Sequence, residues 1–218
     1  MALIGVFDSG VGGLTVLKGL AEHFPHHDFL YLADTARLPY GTKSSSTISS
    51  YLKKNIQFLK SHKVDLIVVA CNSASTVLLN SDEDFGVPVF NVIEPGSQSA
   101  LNHSKNKKIG VLGTRTTVQS RAYIRTLKKL DPEVEVHQMP APLLVPLVEE
   151  GWIDDPLTSM VVYRYTKPLL DLGVDTLILG CTHYPVLYSV FQKVTGRDFP
   201  LVDSPLALKE ILKEQWPK

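Results

Sequence analysis

One cysteine-ended apolar pattern occurs twice in this 218-residue chain and accounts for both of its cysteines. The first copy is VDLIVVACNSAS, Val64 to Ser75, and the second is VDTLILGCTHYP, Val174 to Pro185. Each begins Val-Asp, continues as an apolar run, and passes through a small residue, Ala70 or Gly180, into Cys71 or Cys181. A strand buried on both faces reads as a near-continuous apolar run, and open α/β sheets bind their ligands at the carboxyl ends of such strands. The pattern predicts two thiols at matching strand ends, one on each side of a site.

The repeat extends upstream. IGVFDSG (Ile4 to Gly10) resembles IGVLGTR (Ile109 to Arg115), and 67 residues separate Ile4 from Cys71 where 72 separate Ile109 from Cys181. Two matches in the same order imply two related half-domains. Strands are expected at Leu3–Phe7, Phe29–Ala33, Leu66–Ala70 and Val87–Val92, then at Ile109–Leu112, Val134–His137, Thr176–Leu179 and Phe199–Val202. Helices are expected between them, at Leu14–His23, Thr47–His62, Val118–Leu130, Leu157–Leu172 and Val186–Val194. Strand alternating with helix gives an α/β fold: two similar domains, each a mostly parallel sheet flanked by helices, with the site in the cleft between them. The turn residues Glu94-Pro95-Gly96 mark the expected seam, dividing residues 1–96 from 97–204. The segment 205–218 reads as a helix returning toward the first half.

Lys plus Arg equals Asp plus Glu at 22 each, so no overall charge draws the chain to nucleic acid or to an anionic membrane. The basic run HSKNKK (His103 to Lys108) reads as a solvated turn. No apolar run reaches the roughly 18 residues of a membrane span, and Asp8 interrupts the apolar start against a secretory leader. Two cysteines 110 positions apart make no disulfide framework. A cytoplasmic location with reduced thiols is the expectation.

Several segments could carry chemistry. DSGVGG (Asp8 to Gly13) follows the first strand and opens a helix, where glycines let backbone N–H groups approach an anion. It is neither a Walker A loop nor a dinucleotide fingerprint, and a tight strand-to-helix connection with Asp8 as helix N-cap explains it equally well. DTARLPYG (Asp34 to Gly41) is a candidate lip of the same cleft, or an ordinary loop. CNSAS sets Asn72, Ser73 and Ser75 at a helix start, a location that lowers a thiol pKa from about 8.5. CTHYP sets Thr182 and His183 beside Cys181, where the imidazole would lower that thiol or relay its proton. Neither cysteine has zinc-knuckle spacing, so no metal is expected. HFPHH (His23 to His27) reads as a surface turn.

Six of these segments, DSGVGGLTV, DTARLPYGTK, ACNSAS, VIEP, LVPLVEEG and GCTHYP, in this order, together resemble the cofactor-independent glutamate racemases of bacterial cell-wall synthesis. The resemblance implies two facing α/β domains with the active site between them, and no pyridoxal phosphate, metal or nucleotide. It assigns the catalytic thiols to Cys71 and Cys181, with Asp8, Glu149, His183 and Asp34 as supporting acid–base groups. Substrate is assigned to Asp8, Ser9, Tyr40, Gly41, Asn72, Ser73, Thr182 and His183. Cys71 would take the proton from the D-enantiomer and Cys181 from the L-enantiomer, assisted by Asp8 and His183 respectively. The implied partner is small-molecule L- or D-glutamate, with a homodimer left open.

The sequence departs from the resemblance in three places. Ser73 stands where threonine is common, Pro205 follows Val-Asp-Ser where a small residue is usual, and relatives continue beyond position 218. Another two-thiol racemase such as one for aspartate, a thiol redox protein, and a silent ligand-binding member are the alternatives.

Overall fold

The computed structural model describes residues 1–205, 207 and 208. In the first half, strands β1 (Leu3–Asp8), β2 (Asp28–Ala33), β3 (Leu66–Val69) and β4 (Val89–Asn91) alternate with helices α1 (Leu14–His23), α2 (Ser45–Ser61) and α3 (Asn72–Leu78). Helix α4 (Ile93–His103) leads into the second half. There β5 (Lys108–Gly113), β6 (Glu135–Pro140), β7 (Thr176–Gly180) and β8 (Leu201–Val202) alternate with α5 (Arg115–Ser120), α6 (Ala122–Leu130), α7 (Leu144–Glu149), α8 (Pro156–Asp171) and α9 (Tyr188–Thr195).

The two sheets have one topology. Their orders are β2-β1-β3-β4 and β6-β5-β7-β8, and all pairings are parallel. The register repeats as well: Ile4 pairs with Leu66 as Ile109 pairs with Thr176, and each cysteine lies the same number of residues beyond that pair. Even the packing over a glycine recurs. A Cβ at Gly5 would meet Leu59 and Val64 at 3.3 Å, and one at Gly110 would meet Leu177, Val174 and Leu169 at 2.8–3.3 Å.

Alternation along each strand supplies both faces of its sheet with core. Ile67 and Val69 join Ile48, Leu52, Ile56 and Leu59 of α2, whereas Leu66 and Val68 join Val16 and Leu20 of α1. Leu177 and Leu179 pack with Val162 and Leu169 of α8, and Ile178 packs with Ile93, Ala100, Tyr123 and Leu127 on the opposite face. Leu59 is fully buried, so Leu59→Ala should cost about 2–5 kcal/mol by transfer and cavity formation.

Some expected elements differ. Glu94-Pro95-Gly96 is not a turn but the first turn of α4. Asn91 Oδ1 accepts from the backbone N–H of Ile93 (2.9 Å) and Glu94 (3.0 Å), satisfying two amide groups at the helix start, where proline is tolerated. The helix expected over Val118–Leu130 is two helices broken at Arg121, whose φ of 55° is left-handed. Val87–Val92 shortens to β4, and Phe199–Val202 to β8. The Val186–Val194 helix begins instead as a 3-10 turn, Tyr184–Leu187, before α9.

Ser204, Pro205, Ala207 and Leu208 are helical, and Leu208 is buried with Ile4, Val6 and Leu20. Pro205 packs on α1, where a Cβ at Gly19 would lie 2.6 Å from the Pro205 Cβ. The rest of the helix expected over 205–218 lies outside the described residues. Among the described residues no helix is long and apolar enough to cross a membrane.

Candidate active site

The carboxyl ends of β1 and β3 face those of β5 and β7 across a cavity of about 430 Å3. From the first half it is lined by Ser9, Tyr40, Gly41, Cys71, Asn72 and Ser73, and from the second by Thr114, Glu149, Cys181, Thr182 and His183, among others. Of the sequence-predicted residues, Asp8, Asp34 and Ser75 do not line it. Asp8 lies directly behind, where its Oδ1 accepts from Thr182 Oγ1 (3.3 Å).

Asp8 is wholly buried at the end of β1. Its Oδ2 accepts from the Gly10 N–H at 2.9 Å, so it closes the glycine loop rather than capping α1, whose N-cap is Gly13. A Cβ at Gly13 would fall 2.3 Å from that of Asp8, which restricts position 13 to glycine. Burial raises the Asp8 pKa above the usual carboxylate range, and the Gly10 N–H, the His183 charge and Thr182 offset this only in part.

The two thiols are free and buried. Cys71 is the N-cap of α3 and its Sγ lies 3.6 Å from Ser9 Oγ. The helix start and the imidazole were expected to lower the thiols, and the structure reverses that direction. Burial, with the Asp8 charge adding to it, pushes Cys71 up to about 12. N–H groups of Ala74 and Ser9 pull the other way without prevailing. Cys181 is raised as well, by burial first and then by the charges of Asp8, Cys71 and Glu149, against the His183 N–H. Desolvation disfavours a thiolate more than the seven-residue α3 can favour it.

Behind Cys181 runs a relay. Its Sγ is 3.8 Å from His183 Nδ1, and His183 Nε2 is 3.1 Å from Glu149 Oε1. With Nε2–H donating to the carboxylate, Nδ1 is left as an acceptor facing the thiol. Gly180, just before Cys181, admits no side chain, because a Cβ there would lie 2.7 Å from the Leu112 carbonyl oxygen.

Hydroxyls tie the halves together beside the cavity. Ser73 Oγ lies 2.9 Å from Thr114 Oγ1 and 3.3 Å from Thr117 Oγ1, and Thr15 Oγ1 donates to the Thr182 carbonyl (3.0 Å). Thr116 Oγ1 donates to the Lys43 carbonyl (3.0 Å), docking the Tyr40 loop on the second half. Asp34 is withdrawn into that loop's support: it accepts from Tyr40 Oη, Arg37 Nε (2.8 Å) and Asn55 Nδ2 (3.2 Å). It holds Tyr40 rather than meeting the cavity.

Thr114, Arg115, Leu38, Pro142, Leu143, Val145 and Pro146 also line the cavity and are not among the sequence-predicted residues. The repeat held a signal for Thr114, since aligning IGVLGTR with IGVFDSG puts it in the place of Ser9. Arg115 falls in the repeat opposite Gly10, which has no side chain to signal it, and the others lie in segments with no counterpart in the repeat.

The sequence matches the family described as Asp/Glu/Hydantoin racemase over residues 13–211. It is 49% identical over 212 residues to a glutamate racemase of Sulfurihydrogenibium sp. (strain YO3AOP1), covering 96% of this chain and 81% of that protein. It is 46% identical to one from Syntrophus aciditrophicus (strain SB), covering 97% and 78%. The fold superposes on glutamate racemase isoform RacE1 from Bacillus anthracis with a TM-score of 0.92 at 37% identity, covering 99% of this chain and 83% of that one. It also superposes on the Francisella tularensis subsp. tularensis SCHU S4 glutamate racemase, solved with D-glutamate, with a TM-score of 0.90 at 35% identity, covering 98% and 80%. Duplicated sheets, paired thiols and this likeness over nearly the whole sequence agree, and the chain belongs to the Asp/Glu/Hydantoin racemase family.

Proposed function

We propose that the chain interconverts L- and D-glutamate by a cofactor-independent proton transfer at Cα between Cys71 and Cys181, and so supplies D-glutamate for peptidoglycan in the cytoplasm. The observation that carries this reading is the placement of the two thiols: both line one cavity, from opposite halves, at equivalent strand ends. Relatives at 44–49% identity named glutamate racemase support the choice of amino acid. So does Arg115, the only Lys or Arg among the described lining residues, which suits a substrate with a second carboxylate.

Removing the Cα hydrogen of an amino acid is difficult because the adjacent carboxylate resists a second negative charge. Inverting the centre requires one group to abstract and another to donate from the opposite face. In the D-to-L direction a Cys71 thiolate takes the Cα proton, the electron pair is held at Cα and its carboxylate, and the Cys181 thiol delivers a proton to the other face. The reverse direction exchanges the roles. The substrate's own α-ammonium, attached to the Cα that lies between the sulfurs, would offset the desolvation that keeps both thiols protonated. His183 accepts the Cys181 proton at Nδ1 while Glu149 holds the imidazole through Nε2. Ser9, Asn72, Ser73 and Thr182, with Tyr40 and Gly41 at the lip, are the groups assigned to hold the substrate, and preorganised donors there stabilise the developing charge. Residues 1–96 and 97–204 act in this scheme as two units that close on substrate, with a homodimer as the proposed assembly.

The test is incubation of the purified protein with D-glutamate in heavy water. Deuterium should enter Cα as optical rotation decays, and aspartate should react far more slowly. No deuterium entry with either amino acid would refute the reading.

A further inference from the structure

Tyr123 belongs to α6 in the second half, yet its hydroxyl meets Asn72 at the start of α3 in the first. Asn72 Nδ2 donates to Tyr123 Oη at 2.9 Å, and both residues are buried. The ring has little freedom. A Cβ at Gly180, the residue before Cys181, would sit 3.3 Å from Tyr123 Cε2, and one at Gly96 in α4 would sit 3.7 Å from the hydroxyl. Tyr123 is wedged between α4 and the strand end that carries Cys181, and from there it grips an amide of the opposite half.

That amide is half satisfied. Asn72 lines the cavity, while its Oδ1 is buried without a hydrogen-bond partner among the described residues. A buried acceptor of this kind is costly unless something donates to it. The amide is planar, so a bond at Nδ2 also fixes where Oδ1 lies. With Nδ2 engaged by Tyr123, the atom of Asn72 left without a partner is an acceptor, which suits an ammonium group. The reversed amide would present N–H and suit a carboxylate.

We propose that Tyr123 is a positioning residue for the substrate's α-ammonium: by accepting from Nδ2 it holds the Asn72 amide with its oxygen free to receive an ammonium N–H. This deepens the racemase reading and rests on it. Tyr123 touches no substrate. It acts through Asn72, and it makes the amide's orientation depend on the second half being in place.

Tyr123→Phe keeps the ring and removes only the hydroxyl. The KM for D-glutamate should rise about tenfold while kcat stays within about threefold. Inhibition by glutarate, which has both carboxylates and no ammonium, should stay within about twofold of the wild type. In an Asn72→Ala background the same substitution should add nothing, since the two residues act as one unit. An unchanged KM, or equal weakening of glutamate and glutarate, would overturn the proposal. Should Tyr123→Phe not fold, Asn72→Ala gives the same discrimination: loss confined to glutamate supports the proposal and equal loss overturns it. A wild type that fails to racemise glutamate sinks the functional reading itself. A racemising wild type with an unmoved Tyr123→Phe sinks only this inference.

Discussion

Gly12 of the first half touches His183 of the second so closely that a Cβ at position 12 would lie 2.5 Å from Nδ1 of the imidazole. That nitrogen faces Cys181, so the smallest side chain at position 12 must displace the group that serves the thiol. Gly12→Ala is expected to lower kcat by about 100-fold or more through the misplaced base, and to destabilise the fold by about 1–3 kcal/mol through overpacking. Steady-state kinetics beside thermal unfolding check this. A variant retaining a third or more of the activity would mean that the imidazole's placement is not critical.

The thiols should be individually indispensable. Cys71→Ala and Cys181→Ala should each abolish racemisation, because one remaining base cannot abstract and deliver on opposite faces. Serine in either place keeps the size with a far higher pKa, so activity should fall by orders of magnitude. Each single mutant should still eliminate a leaving group from a β-substituted analogue, with opposite enantiomer preferences. Near-normal racemisation by either alanine variant would exclude the two-base mechanism.

Glu149→Gln tests the relay. Glutamine can still meet His183 Nε2 but carries no charge to favour the imidazolium, so kcat should fall about 10- to 100-fold, within the range of acid–base assistance. The loss should appear in kcat, with KM little changed. A kcat identical to the wild type would show that the carboxylate only fills space.

The two parallel sheets and the place of both cysteines were legible because the duplication writes them twice: Val64 and Val174 announce β3 and β7 in the same words. Glu94-Pro95-Gly96 misled because the residues that favour turns also favour the first turn of a helix, and only the Asn91 side chain decides between them. The break at Arg121 had no signal, since arginine is not a residue that marks left-handed backbone. The thiol pKa values ran opposite to expectation because a local motif shows the helix start but not the burial that two facing halves create. Asp34 illustrates the same limit. Its neighbours Arg37 and Tyr40 are near in sequence, but Asn55 of α2 is not, and together they turn it away from the cavity.

Asp8 should make stability depend on pH in an unusual direction. Its folded pKa is raised, so the protonated form is favoured by folding, and that contribution is lost as pH rises through the raised value. An ionised carboxyl in that buried place is a burden on the fold. Asp8→Asn should stabilise the protein at pH 7.5, with the advantage shrinking as pH falls toward the ordinary carboxylate range near about 4. Urea midpoints at the two pH values measure it, and racemisation should fall sharply in the same variant. A variant less stable than the wild type at pH 7.5 would contradict the assignment.

Arg121→Gly should stabilise. A non-glycine residue at φ 55° is strained, and glycine there should gain about 0.5–1 kcal/mol net of its larger unfolded-state entropy. The side chain is exposed, so kcat and KM should not move. Chemical denaturation of the two proteins decides it, and a lower midpoint for glycine would show that the Arg121 side chain contributes more than its backbone costs.

The two halves repeat each other, but their thiols do not have matching neighbours. Asp8 occupies the place held by Gly113 in the second half, and His183 the place held by Ser73 in the first, so a carboxyl and an imidazole each stand on one side without a twin. Mirror-image substrates have equal free energy in solution, which fixes the equilibrium constant at unity whatever the catalyst looks like. The unequal neighbours can therefore set different maximal rates and different Michaelis constants for the two enantiomers, but every gain in one is matched by the other, and the ratio kcat/KM must come out the same in both directions. Evolution is left free to tune how tightly each enantiomer is held, and so which of them accumulates on the enzyme, without the power to favour either one in the pool.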